Sequence, residues 1–266
     1  KPTIKSKLFQ FVKQQVVFYY QWLIVNDFLP KWVDKSIIDK IRYNYQFIYN
    51  PHDNDALPLE WAVSAARSGH LNFPSHIKLS ANNIIEESQL HVLVDGILPS
   101  ENIDWYGLFS TDLTVNDMNY CKKYDGKIIK DLANMIHLPK PPDLPSEKNN
   151  LLLRNLLRSE QFKLGSGQNY AKKFKIQPLS EDLLKSNDTD GLLEKTFMTK
   201  ETPLLLYIMK EAEIYKFGNK LTGLGAFLFT EPIISILNND KNSYINNNEM
   251  WWPLGSDKPS KKWTPI

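Results

Sequence analysis

Residues 8–28 read LFQFVKQQVVFYYQWLIVNDF. Phe9, Val12, Val16, Tyr19, Tyr20 and Leu23 recur three and four positions apart, the spacing that lines one side of an α-helix. The stretch therefore reads as one long helix, ended by Pro30 because proline offers no backbone N–H to the next turn. Asp34 is placed to cap a shorter helix over 35–42. Residues 43–54 are polar, aromatic and irregular, and read as a loop. Pro58 fits the first turn of a helix that runs on to about Gly69. Residues 72–101 break into short apolar pieces, with at most a small hairpin around 90–94.

LPKPPDLP at 138–145 is a proline-rich connection. It separates residues 1–137 from a second helical lobe at 146–266, the two together being parts of one larger domain. Ser146 can cap a helix over 149–158. Ser166, Ser180 and Thr202 have the character of further caps, with Pro203 in a first helical turn. Residues 204–214 and 221–237 supply two more apolar helices, and the Asn-rich 238–248 and the Trp/Pro tail read as irregular surface. Strand-like alternation is scarce, so the expected class is mainly α.

With 42% hydrophobic and 12% aromatic residues over 266 positions, the chain has the composition of an ordered globular protein able to bury a sizeable core. Its 32 basic and 30 acidic side chains are mixed along the sequence with no basic block, which argues against a nucleic-acid partner. Cys121 is the only cysteine, so no internal disulfide can form, and the compartment stays open. The start, Lys1-Pro2-Thr3, has no Met and no signal-type stretch, and reads as a processed chain or the ordered part of something longer. The apolar stretches at 16–29 and 221–237 read as buried helices and not transmembrane spans. The first carries Gln21, Asn26 and Asp27, and the second is short and holds Glu231-Pro232. Asn187-Asp188-Thr189 is a glycosylation sequon that has meaning only in a secreted chain.

The sequence has no phosphate loop, no paired-cysteine motif and no His-Glu-x-x-His. Gly165-Ser166-Gly167 lacks the spacing of a nucleophile elbow and fits a helix cap better. His52, His76, His91 and His137 fall in loops or at element ends without ligand spacing. The segment that stands out is LPLEWAVSAARSGHLNFPSHIKL at 57–79. On a helix Arg67 and His70 share a face, and Gly69 leaves room for a flat ligand beside the imidazole. Spacing alone favours a hydrogen-bonded core histidine over a haem ligand. In the second segment, LLLRNLLRSEQFKLGSGQNYAKKFK at 151–175, Asn155 and Arg158 again share a face. On pattern alone Asn155 is a capping or packing residue and Arg158 a surface charge.

These two segments, in this order, resemble the proximal side of the animal-type haem peroxidase superfamily, most closely its bacterial-type members. FVKQQVVFYYQWLIVNDFLPKWVD (11–34) resembles the family helix before the proximal region, and IDWYGLF (103–109) a following helical piece. RNLLRSEQFKLGSGQNYAKKFKI (154–176) resembles the Asn/Arg helix and its downstream turn. The closing helices are resembled by TPLLLYIMKEAEIYKFGNKLTGLGAFLFTEPIISILNNDKNSY (202–244). The likeness implies a haem peroxidase-like multi-helix fold, of which this chain is the C-terminal portion. It also implies that His70 ligates iron, that Asn155 holds the other ring nitrogen, and that Arg67 and Arg158 face haem propionates.

The chain departs from the family pattern in three places. Leu71-Asn72-Phe73-Pro74-Ser75-His76 stands where small and apolar residues and an Arg are usual. Ala226-Phe227-Leu228 replaces a Gly-Gly-Arg-like run. No segment matches the family's distal His and Arg, so no catalytic residue is assigned in this chain. The reading is of a protein that supplies the proximal half of a haem site. Another polypeptide or an N-terminal fragment would complete it, within a larger assembly, for peroxide reduction coupled to oxidation of a donor. The alternatives are a haem-free structural subunit with a degenerate peroxidase-like fold and, since the superfamily contains them, a fatty-acid oxygenase needing a radical-forming Tyr.

Overall fold

The computed structural model describes residues 4–44, 48–49, 51, 57–80, 83–86, 104–105, 121–135, 149–186, 188–189, 191–247 and 251–253. Helix α1 (Ile4–Leu23) continues without a break into a π-helical turn (Ile24–Phe28) and then α2 (Leu29–Trp32). Pro30 thus lies within the helix and does not end it, a correction to the sequence reading. The wide turn is the physical reason. The N–H of Leu29 reaches back five residues to the carbonyl of Ile24, and Pro30 falls in the first turn of α2, where an N–H is dispensable. The chain leaves the helix at Val33, which is extended, and α3 (Lys35–Asn44) follows. Asp34 begins α3: its carboxylate accepts from Ser36 N–H at 3.2 Å and pairs with Lys216 at 2.6 Å.

The expected helix up to Gly69 is two pieces. Helix α4 (Leu59–Val63) stops at Ser64, whose φ of −127° and ψ of −71° are not helical, and a 3₁₀ helix carries on over Ala65–Leu71. An antiparallel hairpin follows, β1 (His76–Ser80) with β2 (Asn83–Glu86), Ile77 facing Ile85. The hairpin anticipated around 90–94 lies outside the described residues, as does the proline-rich stretch at 138–145.

The second half adds α5 (Lys130–Ala133), α6 (Leu151–Gln161), α7 (Gly167–Lys173), α8 (Glu181–Ser186), α9 (Leu192–Lys195), α10 (Leu204–Lys216) and α11 (Gly223–Asn239). A 3₁₀ turn, Tyr244–Asn246, comes after them. The described structure is mainly helical. Asn150 caps α6 by accepting from Leu153 N–H at 3.1 Å, whereas Ser146 is outside the described residues. Ser166 and Ser180 cap α7 and α8, accepting from Asn169 N–H and Leu183 N–H. Thr202 is no cap. Its hydroxyl donates to Met198 O and accepts from the Gln168 amide, whose own carbonyl takes Thr202 N–H at 3.0 Å. Pro203, with its fixed φ, precedes the first turn of α10 instead.

One hydrophobic core gathers Val25, Leu29, Ile38 and Leu71 from the first half with Ala171, Leu204, Tyr207 and Leu228 from the second. Helix α11 is buried along most of its length and packs against α3, α4, α10 and the 3₁₀ helix at Ala65–Leu71. A helix apolar on all sides has to lie in an interior. Glu211 of α10 anchors its start by accepting from Gly225 N–H at 3.0 Å. Among the described residues no helix is long and apolar enough to cross a membrane.

Candidate functional site

The 3₁₀ helix at Ala65–Leu71 presents His70, and α6 lies against it and against α4. Residues three apart eclipse in a 3₁₀ helix, so Arg67 and His70 stand on one edge. From α6 the buried Asn155 side chain reaches across, its Nδ2 lying 3.0 Å from Nδ1 of His70. The helix holds Asn155 firmly. Its buried carbonyl accepts from Ser159 Oγ at 3.0 Å, one turn on.

This pair can share a proton in two ways. With the amide N–H donating to Nδ1, the ring proton sits on Nε2. With the amide turned over, its carbonyl accepts from Nδ1–H and leaves the Nε2 lone pair free for a metal. The structure has the amide nitrogen facing the ring. Burial, and then the Arg67 charge, push the His70 pKa below its ordinary value. The ring is therefore neutral at neutral pH, the form that can ligate a metal.

Arg67 and Arg158 are both exposed. Arg67 Nε donates to Ala62 O at 3.0 Å, and Arg158 lies over the Phe162 ring at 4.8 Å while donating to Gln161 at 3.4 Å. Neither guanidinium has a carboxylate partner among the described residues. Both retain donors for an anionic group, and one of them sits beside the imidazole.

The room expected at Gly69 is already filled. A Cβ there would lie 3.2 Å from Cη2 of Trp32, so the glycine admits this indole and not a ligand. Trp32 in turn stacks on Phe229 at 6.0 Å and 10°. The sequence reading missed Trp32 because it placed the residue beyond the end of the helix. Nothing local in the sequence signals this contact between distant positions.

Other candidates fall away from the pair. His76 is exposed at the start of β1, its Nδ1 3.1 Å from Ser75 Oγ, and His52, His91 and His137 lie outside the described residues. Cys121 is exposed. Among the described residues no group of three or more His, Cys, Asp or Glu could hold a metal ion. A haem iron asks less of the protein, since the porphyrin supplies four nitrogens and one histidine can supply the fifth ligand. No family model matches the chain, and no curated protein matches it significantly.

Proposed function

We propose that the chain supplies the proximal half of a haem site, with His70 as the iron ligand, in a peroxidase-like protein. Its distal half would come from another polypeptide or an N-terminal fragment. The observation that carries this reading is the 3.0 Å contact between Asn155 and His70, which joins the two segments that resemble the family's proximal side. The residues present fit the group. A neutral imidazole has one ring nitrogen engaged by an amide, and two guanidiniums without carboxylate partners suit propionates.

When bound, the haem would supply peroxide reduction coupled to oxidation of a small donor. Asn155 orients the imidazole and, with its carbonyl toward Nδ1–H, raises the basicity of the ligating nitrogen. Burial, and secondarily the Arg67 charge, favour the unprotonated ring. The acid–base group that cleaves the O–O bond has to come from the completing polypeptide, and such a group is worth about 10²–10⁴ in rate.

The test is haem titration followed by the Soret band. The native chain should give an axial-histidine spectrum that His70→Ala abolishes, and an unchanged spectrum in the variant would sink the assignment. Peroxide turnover should be slow in the haem-loaded chain and rise when the completing polypeptide is present. A second reading, a haem-free structural subunit, is favoured by Trp32 filling the space against Gly69 and by the amide nitrogen facing Nδ1. Absence of a Soret band in both the chain and its assembly would select it.

A further inference from the structure

Trp32 lies against the residue next to His70. A Cβ on Gly69 would meet Cη2 and Cζ3 of its indole at 3.2 and 3.4 Å, so the ring edge rests on the peptide that carries the imidazole. Aromatic rings continue from there to an open groove. Trp32 stacks on Phe229 at 6.0 Å and 10°, and Phe229 meets Trp61 at 6.4 Å and 32°. Trp61 is half-buried and forms part of the wall of a groove of about 280 Å³, lined also by Tyr20, Ile24, Ile233 and Ile236. The indole N–H of Trp61 donates to Phe229 O at 3.0 Å, which holds the outer ring beside the middle one. The row takes one ring each from α2, α11 and α4, so only the tertiary fold assembles it.

Indole gives up one electron far more readily than a benzene ring does. Trp32 and Trp61 are therefore the oxidisable members of the row, and Phe229 is a bridge between them. An oxidised indole can keep its N–H proton for a time, whereas an oxidised phenol has to lose its own. That difference closes the side branch. Tyr124 also meets Trp32, at 6.5 Å and 65°, but burial pushes its phenol pKa well up. Its buried hydroxyl faces no carboxylate or imidazole among the described residues. Trp61 is better placed, because the Phe229 carbonyl that accepts from its N–H also stabilises positive charge on the ring.

We infer that Trp32 and Trp61, bridged by Phe229, relay single electrons from a small phenol-type donor touching Trp61 to the site at His70. The inference rests on the haem reading above and supplies its donor side. Trp32 loses one electron toward the haem site and recovers it from Trp61, which recovers it from the donor. Only electrons pass along the row. The donor releases one proton with each electron, and two donor molecules serve one peroxide. The peroxide takes up two electrons and two protons and leaves as two waters.

The experiment uses the whole haem-loaded chain, whose Soret band reports haem uptake separately. After incubation with hydrogen peroxide, peptide mass spectrometry maps the hydroxylated indoles. Trp105 is the control, because it is 53% exposed and stands outside the row, so a diffusing oxidant would reach it first. Modification should fall on Trp32 and Trp61 ahead of Trp105. Trp32→Phe, with its Soret band intact, should lose the modification at Trp61, while Trp61→Phe should keep it at Trp32. Oxidation of added p-cresol should slow in both variants. Should Trp32→Phe take up no haem, Phe229→Leu decides in its place by the same loss at Trp61. With a normal Soret band, modification led by Trp105, or modification at Trp61 that survives Trp32→Phe, overturns the relay and leaves the haem reading standing. Unchanged p-cresol oxidation in both variants does the same. A native chain without a Soret band ends both.

Discussion

Asn155 meets His70 across 85 positions of sequence, amide to ring nitrogen at 3.0 Å. The contact holds the imidazole at Nδ1 and leaves Nε2 for the proposed iron, so Asn155 would act only through His70. In a haem-loaded sample Asn155→Leu should therefore retain haem and move the reduction potential upward, since a less basic ligand stabilises ferric iron less. Potentiometric titration reads this directly, and an unchanged potential counts against the role.

His70 also links stability to acid. Its pKa is depressed by burial first and by Arg67 second, while the unfolded ring keeps a value near 6.5. Between those values the unfolded chain binds the extra proton, so stability falls as pH drops below about 6.5. Urea midpoints at pH 7.5 and 5.5 should differ less in His70→Gln than in the native chain. In Arg67→Leu the His70 titration followed by NMR should move up.

Glu211 works in the opposite sense. Burial pushes its carboxyl up to about 7, against the lowering effect of the Gly225 and Leu224 N–H groups. A raised pKa gives stability that is complete below the ordinary value of about 4.5 and is lost as pH rises through about 7. Glu211→Gln should remove that loss between pH 5 and 8. Equal slopes in both proteins would show that the carboxyl is charged throughout.

Glu231 accepts from Ile48 N–H at 2.7 Å and Tyr49 N–H at 2.8 Å, holding that piece of chain onto α11. Glu231→Ala strands both donors and should cost about 2–4 kcal/mol in urea unfolding. Ser235→Ala, which removes a neutral bond to Tyr49 O and a longer one from the Asn239 amide at 3.4 Å, should cost about 1 kcal/mol. A reversed order would contradict the clamp.

A Cβ on Gly167 would overlap the Tyr207 ring, whose hydroxyl accepts from Leu179 N–H at 2.8 Å. Gly167→Ala must displace that ring and should cost about 2–3 kcal/mol. Gly126 has φ +71° but open space around it, so Gly126→Ala should cost only about 1 kcal/mol. Thermal melts of the two variants check the ranking.

The sequence by itself determined that this protein is built of helices, because apolar spacing of three and four is a local property that any environment must respect. Ser166 and Ser180 were legible as caps for the same reason, since a cap bonds only to residues a few positions on. Tertiary structure decided what neighbours in space impose. Pro30 is carried through a helix by a π turn, and Thr202 spends its hydroxyl on Gln168 and Met198 instead of a helix end. An antiparallel pairing joins 76–80 to 83–86 with Ile77 and Ile85 in register, which helix-seeking periodicity overlooks. His70 and Asn155 were visible as candidates only through resemblance, and only the fold brings their atoms together. Trp32 against Gly69 had no local signature at all, because a glycine reads the same in sequence whether a ligand or an indole fills the space beside it.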